Sequence, residues 1–366
     1  MKRLLLTTFV IMVILFSSTQ VAQAATDLEY FQQGCDQFNA GSYEEALQNF
    51  EEAIKLKPQE SIYYDWLGAC LYHMVALDEA LIAFDKALAL EPYYSTYEYK
   101  GVCLAIMGRT EEALTAFDNS IALHPYLNNY FWKACVLMDL QRYEEAADAY
   151  LAVVTLNDAD DESKAQAYNN AGYVLCLGKD YAKAMTAVEN GLALIKNKPT
   201  LYKNKGLILE GQQNYKEALA CYEQALEIDP ENDSAGTARR NLVLKLNNCL
   251  DLSEFVAWKE IKQDVPLNKS WTITFNSPVD LAAAQESIVL GDELGNRLSL
   301  DIQAGNEAHE LTVSLQGQQT YAPGKSYFLF IPLSVKSDKG IPLNNSLMME
   351  FKTTGIEDGS ENINLN

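Results

Sequence analysis

Residues 27–60 read DLEYFQQGCDQFNAGSYEEALQNFEEAIKLKPQE, and one spacing inside them decides the fold. Gly34 stands twelve residues before Ala46. The same pair returns as Gly68 and Ala80, Gly101 and Ala113, Ala134 and Ala146, Gly172 and Ala184, and Gly206 and Ala218, at intervals of 33 to 38 residues. A fixed period of this length marks an array of stacked supersecondary units. A small residue held at two points of each unit is what close helix contact needs, because a larger side chain holds the backbones apart.

Within each unit the apolar residues recur at three and four spacings, which predicts two amphipathic helices. In the first unit helix A runs near Leu28 to Ala40 and helix B near Tyr43 to Leu56, with Gly41 and Ser42 as the turn. Ser42 followed by Glu45 reads as an N-cap with its capping-box partner, and Asn214 with Glu217 repeats it. Pro58, Pro92, Pro125 and Pro230 stop helix B, since proline cannot continue the backbone ladder. Acidic pairs such as Glu44-Glu45 and Glu111-Glu112 open helix B, where carboxylates complement the helix dipole, so they read as structural and not as acid–base catalysts.

These residues resemble the tetratricopeptide repeat family over six units: 27–60, 61–93, 94–126, 127–160, 165–198 and 199–232. The marks are Gly or Ala at unit position 8, Ala at 20, an aromatic or Val at 24 (Phe50, Phe84, Phe117, Tyr150, Val188, Tyr222) and Pro at 32 where present. The resemblance implies a right-handed α-α superhelix whose helices A line a concave groove. Residues near Asn157 to Lys164 lengthen one spacing, which predicts a wider joint between the fourth and fifth units and a solvated acidic loop there. The stretch 233–249 reads as a capping helix, with Leu242, Val243 and Leu246 on one side and Arg239, Arg240 and Lys245 on the other.

After Leu250 the apolar period changes from three-and-four to two. Trp271, Ile273 and Phe275 alternate with threonines, as do Leu311, Val313 and Leu315 with Thr312 and Ser314, while Tyr327, Leu329 and Ile331 alternate with Phe328 and Phe330. Short strands at this spacing predict an all-β sandwich over 256–355. Trp271 to Phe275 with Pro278-Val279-Asp280, Tyr321 to Tyr327 and the closing Phe351-Lys352-Thr353-Thr354 resemble the Ig-like domains of bacterial S-layer and cell-envelope proteins. The expected fold class is therefore multidomain α plus β, a helical solenoid followed by an Ig-like sandwich. The polar segment 356–366 reads as a disordered tail.

Lys2 and Arg3, an apolar run from Leu4 to Phe16 and then Ala22-Gln23-Ala24 read as a secretory signal peptide over 1–24, cleaved between Ala24 and Ala25. Export, with the S-layer-type resemblance, places the protein outside the cell or in the envelope, a Gram-positive surface first and a periplasm second. No further segment is apolar enough to span a membrane in the mature chain. Residues 27–160 carry 23 Asp and Glu against 7 Lys and Arg, while 161–249 carry 11 of each. The first four units thus hold a negative field that repels nucleic acid and favours cationic partners or simple solubility. The cysteines, among them Cys35, Cys70, Cys103 and Cys135, follow the repeat and not a disulfide or metal spacing, so they read as small buried hydrophobes.

Chemistry by bond making has no candidates. His73, His124 and His309 lie at no ligand or dyad spacing, and no phosphate loop, nucleophile elbow or metal motif occurs. Asp158 to Glu162 lacks the glycine and distal glutamate of a calcium loop. No catalytic residue, metal or cofactor is expected. Binding has better support: by the resemblance, positions 2, 5, 9 and 12 of helix A face the groove. Phe31, Phe38, Asp65, Tyr72, Glu98, Phe131, Met138 and Tyr173 are the groove candidates, and Lys203 is the one cation at these positions. Exposed aromatics among carboxylates suit an extended protein or peptide segment bearing apolar and cationic side chains; packing between units is the competing role for the aromatics. Tyr63, Tyr64, Tyr93, Tyr94, Tyr97 and Tyr99 cluster where helices A begin, as rim tyrosines or as a sugar-stacking surface. The main expectation is a secreted non-enzymatic scaffold. The alternative is a structural envelope protein whose Ig-like domain contacts cell wall or S-layer.

Overall fold

The computed structural model describes residues 25–247 and 261–354, with the backbone alone of 255–257. The signal segment 1–24, the end of the capping stretch at 248–249 and the tail 356–366 lie outside the described residues. The chain divides into two compact units, Met1–Val174 and Leu175–Asn366. Among the described residues no helix is long and apolar enough to cross a membrane.

The first unit is built from helical hairpins. Helices α1 (Asp27–Asn39) and α2 (Tyr43–Leu56) form the first, α3 (Ser61–His73) and α4 (Leu77–Leu90) the second, α5 (Tyr94–Ile106) and α6 (Thr110–Leu123) the third. Helices α7 (Leu127–Asp139) and α8 (Tyr143–Ala152) form the fourth, and a single 3-10 turn, Val153–Thr155, follows. Each first helix of a hairpin touches the first helix of the next, so helices A make one layer and helices B another.

The glycines at unit position 8 have a more specific task than close backbone approach. A Cβ on Gly34 would lie 2.7 Å from the ring of Phe50, and one on Gly101 2.7 Å from Phe117. The glycine is the seat of the aromatic ring from position 24, and Phe50, Phe84 and Phe117 are fully buried there. Every A-to-B turn holds one residue at positive φ, glycine at Gly41 (80°) and Gly108 (74°) but Val75 (61°) and Gln141 (58°) elsewhere. The Ser42 N–H donates to the Gln37 carbonyl and the Gly41 N–H to Phe38, each at 2.9 Å, which closes the turn as a Schellman motif. This closure fixes the entry to helix B. The expected side-chain caps at Ser42 and Asn214 do not form.

The acidic insertion is only half a loop: Asn157 to Asp160 stay outside any helix, and the rest is helical. Helix α9 runs Asp161–Leu177, so the extra residues extend helix A of the fifth unit backwards by four positions from 165. Asp160 accepts from the Ser163 N–H at 2.8 Å and so caps the longer helix.

The second unit contains α10 (Tyr181–Leu194), α11 (Pro199–Gly211), α12 (Tyr215–Ile228) and α13 (Asp233–Leu246), and then two sheets. The strands are β1 (Phe255–Ala257), β2 (Lys262–Val265), β3 (Trp271–Thr274), β4 (Val289–Asp292), β5 (Arg297–Leu298), β6 (Leu300–Ala304), β7 (Glu310–Leu315), β8 (Ser326–Ile331) and β9 (Ser346–Thr353). One sheet has the order β1-β9-β8-β4-β5 with β2 also on β9, and the other the order β3-β7-β6. A short helix α14, Leu281–Ser287, capped by Asp280, interrupts the strands, so the region is not all-β. Trp271, Ile273 and Val313 of the small sheet pack against Leu329, Ile331, Met349 and Phe351 of the large one.

The large sheet is covered on both faces, which the alternation in β8 did not predict. Phe328, Phe330 and Met348 point away from the small sheet and are buried with Leu219, Tyr222, Leu242 and Val243 of α12 and α13. The unbroken apolar run from Tyr327 to Ile331 is the pattern of a strand buried on both sides. Helix α13 likewise has no solvated basic face at Arg239, which is 8% exposed. Its guanidinium forks onto Glu350 of β9 at 2.7 and 2.8 Å and reaches Glu223 of α12 at 3.4 Å. The end of α13 approaches β4 and the turn after it so closely that a Cβ on Gly291 would strike the Asn247 side chain.

Candidate binding face of the first unit

The groove candidates divide into two kinds once the joints between hairpins are compared. At the first two joints the side chain at position 5 of one helix A lies beside positions 3 and 6 of the next, and at the third it lies beside position 6. At the first joint Phe31 packs on Tyr63 (ring centroids 5.1 Å apart), Trp66 (6.3 Å) and Phe50 (5.8 Å). It is half-buried and belongs to the cluster around Ala46, Phe50 and Cys70. Phe38 joins the same cluster through Trp66 at 5.1 Å, and it meets Tyr43 and His73, which stack on each other at 4.8 Å. Phe131 packs edge-on against Tyr150 at 5.1 Å. Phe31 and Phe38 bind hairpin to hairpin, while Phe131 packs α7 against α8 within its own hairpin.

At the second and third joints a carboxylate stands where the first joint has Phe31. Asp65 of α3 sits beside Thr96 and Tyr99 of α5, and its Oδ1 is buried with no hydrogen-bond partner. Burial pushes the Asp65 carboxyl up from its ordinary value, against a smaller opposing effect of the hydrogen bond from Thr96. Glu98 of α5 is pushed up by burial in the same way, with a hydrogen bond from the Trp132 indole working against it. Among the described residues no cation contributes to either shift. The lysines of these helices are engaged elsewhere: Lys100 pairs with Asp85 of α4, and Lys133 with Asp118 of α6 at 2.6 Å.

Aromatic rings wall this acidic stretch. Tyr72 meets Tyr99 edge-on at 5.8 Å, and Tyr99 stacks over Phe84 at 6.0 Å. Tyr99 is itself pushed up, by burial first and then by the charges of Glu98 and Asp65, which places all three in one neighbourhood. Trp132 is 44% exposed although large and apolar. Met138 is half-buried on α7 and Tyr173 is exposed on α9. Thr96 and Trp132 were missed at the sequence level, where Tyr99 reads as a rim tyrosine and not as a groove residue. The signal was present as an aromatic at position 6 of three successive units: Trp66, Tyr99 and Trp132. Among the described residues no group of His, Cys, Asp and Glu is arranged to hold a metal ion.

Two sequence models described as the tetratricopeptide repeat match the chain, one over residues 199–232 and the other over 31–95, 105–163 and 131–202. The helical hairpins are tetratricopeptide repeats. Among solved structures, the C-terminal part of a tetratricopeptide repeat-containing protein from Cytophaga hutchinsonii is 17% identical with a TM-score of 0.51, over 60% of this chain and 89% of that one. YrrB, described as a tetratricopeptide repeat protein with an unusual peptide-binding site, is 22% identical with a TM-score of 0.43, over 52% of this chain and 97% of that one. At such identities the likeness is one of fold. No curated protein matches the chain. Tetratricopeptide repeat proteins are in general protein–protein interaction scaffolds, so the repeats mark a binding protein before an enzyme.

Proposed function

We propose that this protein is an exported, non-enzymatic scaffold that holds an extended peptide or protein segment along the helix A layer of its first unit. The observation that carries the reading is the pair Asp65 and Glu98, two carboxylates withdrawn from water with no cation to answer them. An incoming Lys or Arg supplies the missing charge, and Tyr72, Tyr99 and Trp132 receive its alkyl stem and neighbouring apolar side chains. Export rests on the composition of residues 1–24, and kinship of the β region with Ig-like envelope domains rests on its two facing sheets and its strand pattern. The mechanism is complementarity of shape and charge on a preformed surface, with no bond made or broken.

The test is an array of ten-residue peptides graded in Lys and Arg content, probed with the full chain. Apolar peptides with one or two cations are retained, and the Asp65→Asn, Glu98→Gln double variant binds them at least about tenfold more weakly, the size expected for losing a charge-assisted contact. Equal retention of neutral and acidic peptides sinks the charge reading; no retention of any peptide sinks the groove. Phe31→Ala and Phe131→Ala are unsuitable probes, because Phe31 holds two hairpins together and Phe131 packs the two helices of its own.

A further inference from the structure

The interlayer of the β region is well packed at one end. Trp271 and Tyr321 both lie against Phe351, at centroid distances of 4.8 and 5.1 Å. Further along, a cavity of about 630 Å³ opens between β3 and strands β8 and β9, walled by Trp271, Ile273, Phe275, Leu329, Ile331 and Met349. Protein interiors rarely leave a void larger than a water molecule. A space of this size falls within the range of about 300–1,000 Å³ that small-molecule sites occupy.

The chemistry of the walls restricts the occupant. Asn276, Ser277 and His309 gather polar groups at one side, and among the described residues no Lys, Arg, Asp or Glu lines the cavity. His309 Nε2 lies 3.2 Å from Glu307, so any charge it carries is already answered. An ionic headgroup would therefore enter without a partner, and burying an unpaired charge is far more costly than burying a hydroxyl or an amide. Strand β3 is also the end strand of its sheet, in the order β3-β7-β6. Main-chain groups along its outer edge are available to an uncharged hydrogen-bonding head.

We infer that this cavity is a binding site for a neutral amphiphile, one apolar arm lying between the sheets and an uncharged hydroxyl- or amide-bearing head at Asn276, Ser277 and His309. The site is independent of the peptide face on the repeats.

The test uses the full chain with n-decyl maltoside below its micelle concentration and 1-monolaurin as probes, and laurate as the charged comparison. Calorimetry gives stoichiometry and affinity, and the Met349 methyl resonance, assigned with Met349→Leu, reports occupancy. One neutral probe binds per chain and shifts the Met349 methyl, while laurate binds at least about tenfold more weakly. Leu347→Trp, which fills the space, and Thr274→Trp, which blocks its rim, each weaken binding by about tenfold or more with an unchanged unfolding transition. Two plugs are used so that one misfolding variant does not decide the matter. The inference is overturned if no neutral probe moves the Met349 methyl, if folded plug variants bind as the parent does, or if laurate binds equally well.

Discussion

Arg239 in the second unit and Asp65 in the first are both charged side chains drawn out of water, and they differ in what faces them. Arg239 is ringed by its answer: Glu350 accepts a two-pronged bond from the β sheet, Glu223 stands on the neighbouring helix, and the guanidinium lies 5.5 Å from the Phe328 ring centre. Asp65 has a threonine hydroxyl, tyrosine rings and a buried oxygen without a partner. The same repeat architecture thus ends in two conditions. Where the β sheet covers the last helices, the buried Arg239 is neutralised inside the chain. Where helices A of the first unit are uncovered, the chain leaves carboxylates unanswered. The first condition is that of a finished interior, and the second is the one on which the proposed binding of a cationic segment rests.

The comparison breaks most sharply at Arg239. Arg239→Met strands Glu350 against the sheet, and removing one partner of a buried pair typically costs about 3–5 kcal/mol. The double replacement Arg239→Met with Glu350→Leu recovers most of that loss, because the orphaned carboxylate is gone. Urea denaturation measures both. A single variant as stable as the parent would mean that the pair contributes nothing, and that Arg239 and Asp65 are not different in kind.

The next largest effect tests whether the two units share one joint. Gly68 seats the ring of Phe84 in the first unit, and Gly206 seats Tyr222 in the second. Alanine at either site pushes on a fully buried ring and is expected to cost about 1–3 kcal/mol, nearly the same in each unit. Matched losses in thermal unfolding show that the joints are alike and that only their covering differs. A smaller change of opposite sign lies in the turns. Val75 holds φ 61°, a conformation costly for a β-branched residue, so Val75→Gly should stabilise by about 0.5–1 kcal/mol. The gain is read from the shift in denaturation midpoint.

The fold was legible where a residue repeats one job from unit to unit. Gly34, Ala46 and Phe50 recur as a glycine, an alanine and an aromatic ring in four of the six units, and the change of period after Leu250 announced strands. What the sequence concealed were pairings between distant residues. Arg239 reads as solvated because helical periodicity knows only its own helix, and its partner Glu350 is 111 positions away. Phe328 and Phe330 did carry a signal, since two large apolar residues on the supposed outer face of β8 require a cover. The groove residues were half legible. Position 5 identified Phe31, Asp65, Glu98 and Phe131 alike, yet the residue type decides the role: the rings pack against other rings, and the carboxylates are drawn out of water beside polar and aromatic neighbours of the next unit. The aromatic at position 6 of the next unit, which lies against Phe31 and beside Asp65 and Glu98, becomes visible as part of the site only when adjacent units are read together.

The smallest expected effect bears most directly on Asp65. Burial raises its pKa above the ordinary 3.8, so the folded chain holds this proton more tightly than the unfolded chain does. The contribution of the group is then favourable below the unfolded pKa and is lost as pH rises through the raised folded value, the reverse of a carboxylate in an ion pair. Asp65→Asn removes the charge that burial penalises. It should raise stability at pH 7 by about 0.5 kcal/mol, and the advantage should shrink to nothing as the pH falls below the ordinary aspartate value. Denaturation at pH 7 and pH 3.5 measures the sign. A bound cationic peptide should abolish the advantage by stabilising the parent and not the variant. If Asp65→Asn instead loses stability at pH 7, the carboxylate already has a partner within the fold, and the contrast with Arg239 disappears.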